Sequence, residues 1–173
     1  MLKLDDRDLQ ILKVLANEAR ISKADLAKKI NLSPSPCWKR LERLEKAGII
    51  EGYHARISLK QVAPHVTVFV TIELEHHRAE YFQRFEQAIR DRDEITACWA
   101  IGGGLDYLLQ IVTRDIDTYQ RLIDDLLDQG LGVVRYFTYV MTKAVKTGTS
   151  LPLDLLAPAI ATDAGEAVTG ETE

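Results

Sequence analysis

The 173-residue sequence predicts an α+β protein in two parts, an N-terminal winged helix-turn-helix domain followed by a ferredoxin-like βαββαβ domain. Three observations carry that expectation. Apolar residues recur at helical spacing through the first third and turn to alternation from about residue 61. Capping residues, a proline and a glycine bound three short helices in that first third. Charge divides at the same place. Residues 1–60 carry 13 Lys+Arg against 8 Asp+Glu and residues 61–173 carry 9 against 18, so an acidic chain of net charge −4 has a basic amino-terminal third.

The elements follow in order. Asp5 or Asp6 can cap a first helix with Leu9, Leu12, Ala16 and Ala19 at helical spacing. In "ISKADLAKKI" a capping box joins Ser22 to Asp25, and Leu26, Ala27 and Ile30 give the second helix a small apolar face. Asn31 and Leu32 make a tight connection. In "SPSPCWKRLERLEKAGII", Ser33 is the expected N-cap and Pro34 the first helical residue, where a missing N–H is harmless. Gly48 closes that helix. Ile49–Ile50, Glu51–Gly52 and "YHARIS" predict a small hairpin or wing.

Beyond it, Val66, Val68, Val70, Ile72 and Leu74 alternate with Thr67, Phe69, Thr71 and Glu73, which predicts a strand. Phe82, Phe85 and Ile89, with Tyr81 and Ala88 beside them, return to helical spacing. "ITACWAI" and "LDYLLQIVT" read as strands separated by Gly102–Gly104. Asp115 caps a helix with Tyr119, Leu122, Ile123, Leu126 and Leu127 on one side, and "GVVRYFTYVMTKAV" is a last strand. The βαββαβ order puts both helices on one face of an antiparallel sheet. Both faces of "YFTYVM" and "LDYLLQIV" are largely apolar, so the uncovered face predicts a dimer. The expected boundaries are residues 1–60, 61–150 and a tail, 151–173, that is polar and disordered at its end.

On a wheel of 100° per residue, Cys37, Leu41 and Leu44 fall on one side of the third helix. Lys39, Arg43 and Lys46 fall on the other, beside Ser35 and Pro36, with Arg40 on the flank. Such a helix alone is equally a solvated surface helix laced with pairs such as Glu42–Lys46. Its place as the second helix of a helix-turn-helix, followed by a wing, favours double-stranded DNA. DNA contacts are expected from Ser33, Ser35, Pro36, Lys39, Arg40 and Arg43, which suit phosphates, guanine edges and a thymine methyl. Trp38 is expected in the domain core.

Other chemistry is thin. No arrangement of Ser, Cys and His suggests a catalytic residue, and no enzyme or cofactor is expected. Cys37 and Cys98 match no metal spacing and read as buried thiols; His76–His77 lack an acidic or cysteine partner at ligand spacing, so no metal is expected. The opening "MLKLDDRDLQ" lacks a signal peptide's apolar stretch, and no run approaches the ~20 apolar residues that cross a bilayer. A cytoplasmic protein without a membrane partner is expected. "GGGLDY" lacks the residues of a nucleotide loop. Its glycines can open backbone N–H groups to a carboxylate, with Asp106 for an ammonium, or can simply make a flexible hairpin.

Taken together, "LDDRDLQILKVLANEARISKADLAKKINLSPSPCWKRLERLEKAGIIEGYHA", "GGGLDYLLQI" and "TYVMTKAVK" make the chain resemble the Lrp/AsnC ("feast/famine") family of bacterial and archaeal transcription regulators over roughly residues 2–150. The resemblance implies DNA binding, pairing through C-terminal domains into a homodimer that assembles to an octamer, and an amino acid held in clefts between those domains. It assigns the effector to Ile101, Gly102, Gly103, Gly104, Leu105, Asp106 and Tyr107, with Thr138, Tyr139, Val140 and Met141 nearby. Gly104 stands where the family commonly has an acidic or amide residue, as in a G-D-x-D-Y pattern, and its missing side chain alters the ligand chemistry expected there. The expected function is sequence-specific regulation of amino-acid metabolism genes under a small-molecule effector. The alternative is a DNA-binding assembly scaffold of the same fold with no effector.

Overall fold

In the computed structural model, which describes residues 2–147 and 151–156, the chain leaves a first unit at Arg56 and builds a second from Ile57 to Val145. It returns to the first at Lys146. The sequence places the boundary after residue 60; it falls earlier because a single turn, α4 (Leu59–Val62), belongs to the second unit.

The first unit opens with α1 (Asp6–Asn17). Asp5 and Asp8 form a reciprocal capping box: the Asp8 N–H donates to Asp5 at 3.0 Å and the Asp5 N–H to Asp8 at 3.1 Å. α2 (Lys23–Lys29) is capped by Ser22, whose Oγ accepts from the Asp25 N–H at 3.1 Å. It ends in a Schellman turn at Asn31, where φ is +53° and Leu32 N–H donates to the Ala27 carbonyl at 3.0 Å. α3 (Pro34–Lys46) starts on Pro34 and ends in the same motif, with Gly48 at φ +68° and Ile49 N–H on the Leu44 carbonyl at 3.1 Å. Ile11, Leu26, Ala27, Ile30, Cys37, Leu41 and Leu44 fill the space between the three helices. Burying each large aliphatic side chain contributes about 1.5–3 kcal/mol.

The wing differs from the expectation. Residues 51–58 form no strand and no hairpin. All eight are exposed, so the segment has no apolar face to bury, and an isolated two-stranded hairpin is marginal in water.

The second unit continues through β1 (Val66–Leu74), α5 (Ala79–Arg90), β2 (Ile95–Ala100), β3 (Tyr107–Thr113), α6 (Ile116–Asp128) and β4 (Val133–Val140). Asp115 caps α6 as expected, accepting from the Thr118 N–H at 2.7 Å. The strands form one antiparallel sheet in the order β2-β3-β1-β4. Val68, Val70, Ile72, Leu109 and Ile111 line its covered face against Phe85 and Ile89 of α5 and Tyr119, Leu122, Ile123 and Leu126 of α6. β4 stops at Val140, short of the predicted strand, although the Met141 N–H still reaches the Thr67 carbonyl at 2.9 Å. A short helix, α7 (Leu153–Leu156), lies within the expected tail; the rest of the tail, 157–173, is outside the described residues.

Candidate nucleic-acid interface and effector loop

The burial of Cys37, Leu41 and Leu44 turns the other side of α3 outward. Ser33, Ser35, Pro36, Lys39 and Arg43 are exposed there. Ser33 makes no side-chain cap bond, so its hydroxyl stands at the positive end of the helix, which favours a phosphate. Lys39 has no carboxylate partner among the described residues, whereas Lys46 pairs with Glu42 at 2.7 Å.

Arg40 is paired within its own unit. It lies 29% exposed, with its Nη1 donating to Asp5 at 2.6 Å and to Asp8 at 2.9 Å. Arg43 donates through Nη2 to the other oxygen of Asp8 at 2.5 Å. The cause is Asp8, whose side chain is fully buried and requires compensation for its charge. Both Asp5 and Asp8 hold the Arg40 guanidinium charged, raising its pKa. Burial pushes Asp5 up, but the Arg40 donor and charge outweigh it and bring the carboxyl below its usual range. The D-x-x-D spacing marks a cap in the sequence; that the second Asp also faces α3 is a tertiary fact the spacing does not carry.

Trp38 lies at the surface rather than in the core, 37% exposed, with the Lys23 ammonium 3.1 Å from its ring centre. This cation–π contact ties the start of α2 to α3.

The loop expected to hold an effector is organised by Asp106. Its N–H donates to the Ile72 carbonyl at 2.8 Å, its carbonyl accepts from Ile101, and its carboxylate takes the Leu74 N–H at 2.7 Å and His77 at 3.0 Å. Asp106 thus holds the loop to β1. Gly102, Gly103 and Gly104 are exposed, Leu105 is half-buried, and Gly103 takes φ +121°. Tyr107 points into the helix-covered core, its ring 4.7 Å from Phe85 and its hydroxyl on Glu86 at 3.0 Å. Burial and Glu86 push that phenol well above its ordinary value.

Thr138, Tyr139, Val140 and Met141 do not meet this loop within one chain. β1 lies between β3 and β4, a separation of roughly 10 Å across two strand spacings. Along β1, Met141 bonds to Thr67 while the loop joins at Ile72. The Thr138 hydroxyl bonds to that of Tyr119. Beside the loop, Glu86, Ile89, Arg90, Cys98, Ala100 and Tyr107 line a cavity of about 350 Å³. Sequence reasoning had missed Glu86, which looks like any exposed helix acid until Tyr107 is placed.

Cys37 and Cys98 are free thiols, each raised by burial. Among the described residues no group of three His, Cys, Asp or Glu can hold a metal, and no helix is long and apolar enough to cross a membrane.

Comparison with known proteins agrees with this layout. Residues 4–51 match a winged helix-turn-helix DNA-binding family and residues 67–151 the Lrp/AsnC ligand binding domain. The transcriptional regulatory protein DoeX of Halomonas elongata is 52% identical, with 90% of this chain and 99% of that protein covered. The leucine-responsive regulatory protein of Escherichia coli is 36% identical over 86% of this chain and 90% of its own length. The crystal structure of a Neisseria meningitidis transcriptional regulator in complex with L-Met superposes with a TM-score of 0.82 at 33% identity, covering 88% of this chain and 99% of that one.

Proposed function

This chain belongs to the Lrp/AsnC family as a DNA-binding transcriptional regulator with a ligand-binding domain, and from that premise we propose that it reads specific duplex sites through α3, pairs through the open face of its sheet, and takes an amino acid at the Ile101–Tyr107 loop. The outward face of α3 carries the reading: Ser33, Ser35, Pro36, Lys39 and Arg43 stand exposed on the second helix of a helix-turn-helix. Residues 1–56 are assigned to DNA, residues 57–145 to effector and assembly. The protein works in the cytoplasm, and its targets are genes of amino-acid metabolism.

Pairing is supported by the sheet face opposite α5 and α6, where Trp99, Phe137 and Tyr139 are 46%, 44% and 55% exposed. That face also holds the Thr71 hydroxyl, which is buried without a hydrogen-bond partner. Further assembly of dimers, toward an octamer, would bring Thr138–Met141 of one copy to the loop of another. The neisserial regulator's complex with L-Met supports an amino-acid ligand.

A second reading, a DNA-binding scaffold without an effector, is favoured by two facts: the Asp106 carboxylate is already engaged, and Gly104 offers no side chain. Thermal shift against the twenty amino acids separates the readings. A ligand at 100 times its Kd adds about 2.7 kcal/mol, so an effector gives a clear rise in Tm and alters duplex affinity in gel shift. No rise across the panel selects the scaffold.

A further inference from the structure

We propose that Asp8 sets the DNA specificity of this protein without touching DNA, by holding Arg40 and Arg43 in one ion-paired fork that keeps their charge off the phosphate backbone. The inference rests on the reading of α3 as the DNA-reading helix.

The geometry is that of a clamp. One Asp8 oxygen accepts from Arg40, the other from Arg43 and from the Asp5 N–H. Asp5 accepts in turn from Arg40 and from the Asp8 N–H, so the capping box of α1 locks both carboxylates in place. The N-cap aspartate of α1 and Asp8 within it therefore face two arginines of α3. The Glu42–Lys46 pair neutralises a third cation, which leaves Lys39 as the α3 cation without a carboxylate among the described residues.

This changes the balance between two kinds of contact. Phosphate contacts add affinity to every duplex; base-edge contacts discriminate. A guanidinium already paired with a buried carboxylate gains little from a phosphate. It keeps its remaining N–H donors, since each Arg has five, and their direction is fixed before binding. Arg43, 44% exposed, is the better placed to offer them to a base edge. A residue that merely capped α1 would instead support binding to all sequences equally.

The two roles predict opposite results for Asp8→Asn, a near-isosteric change that removes the charge. The probes are a duplex enriched by the wild-type protein from a randomised library and a scrambled duplex of equal length, both titrated over a series of salt concentrations. Specificity through Asp8 predicts tighter binding of the scrambled duplex and a salt slope steeper by about 0.9 for each α3 engaged. It also predicts a specific-to-scrambled ratio that falls about tenfold, within the range one bidentate base contact supplies. Equal weakening on both duplexes with the wild-type slope overturns the inference, and so does no change on either. Asp5→Asn, on a half-exposed carboxylate, removes one of the two carboxylates that hold Arg40 and leaves its bond to Asp8; it carries the test should Asp8→Asn fail to fold, with the same direction and a smaller shift expected. A wild-type protein that enriches no duplex over the scrambled one would overturn the reading of α3 itself, and the inference with it.

Discussion

On α3 every cation except Lys39 answers to a carboxylate of its own unit, whereas the sheet of the second unit turns Trp99, Phe137 and Tyr139 to solvent. The first arrangement is finished within one chain: helices, caps, core and charged fork all come from the same unit. The second is unfinished. Its loop is pinned by Asp106, its expected loop partners Thr138–Met141 lie across β1, and its open apolar face has no cover among the described residues. A reading surface can be prepared by one fold, while the proposed sensing site, on a sheet end and a glycine loop, is the part that a second copy would complete.

The largest expected effect tests whether the first unit is self-sufficient. Leu44 is fully buried among Ile11, Leu26, Cys37 and Leu41. Leu44→Ala should destabilise that unit by about 2–5 kcal/mol through lost transfer energy and a residual cavity. Calorimetry should show its transition falling while that of the second unit stays in place. A single transition that shifts as a whole would break the comparison.

Next in size is the open face. Phe137→Asp puts a charge into the exposed aromatic group, on the edge strand β4. Loss of an aromatic anchor costs about 2–4 kcal/mol at an interface, roughly 30- to 1000-fold in dimer Kd. Sedimentation should report a monomer at concentrations where the wild-type protein is a dimer, with each subunit still folded by circular dichroism. An unchanged dimer would place the interface elsewhere.

The same contrast explains what was legible in the sequence. Caps and stops were, because they are local: Asp5, Ser22, Pro34, Gly48 and Asp115 each act within a few residues. Alternation marked β1 because one face of it is buried and the other is not. The apolar surplus of "YFTYVM" marked the open face for a similar reason. What escaped depends on distance. The spacing around Arg40 carries no sign of its pairing with Asp5 and Asp8, more than thirty residues away. Nor does the spacing show that the Leu74 N–H and His77 engage the Asp106 carboxylate. Trp38 looked like core because Trp usually is, yet it lies at the surface with Lys23 against its ring. The wing residues have strand-forming types, but no partner gives them a ladder.

The smallest effect on stability, and the sharpest on function, comes from two adjacent glycines. Gly103 sits at φ +121°, which side chains rarely adopt, so Gly103→Ala should cost about 1–3 kcal/mol and disturb the loop. Gly104 has ordinary φ, and a Cβ there meets nothing within 4 Å. Gly104→Asp should therefore change stability by less than about 0.5 kcal/mol, as exposed substitutions do. Its carboxylate would add what the engaged Asp106 does not offer, an acceptor for a ligand ammonium at the exposed end of the loop. With a charge-assisted bond of about 1.5–3 kcal/mol, affinity for an amino acid should rise at least about tenfold by calorimetric titration. A variant that folds like the wild-type protein yet binds every amino acid no better would show that the loop lacks its partner strand, and not merely a side chain, in the form of the protein under test. Repeating the titration on Phe137→Asp then separates those two requirements: if the loop is completed by another copy, Gly104→Asp gains affinity only while the open face is paired.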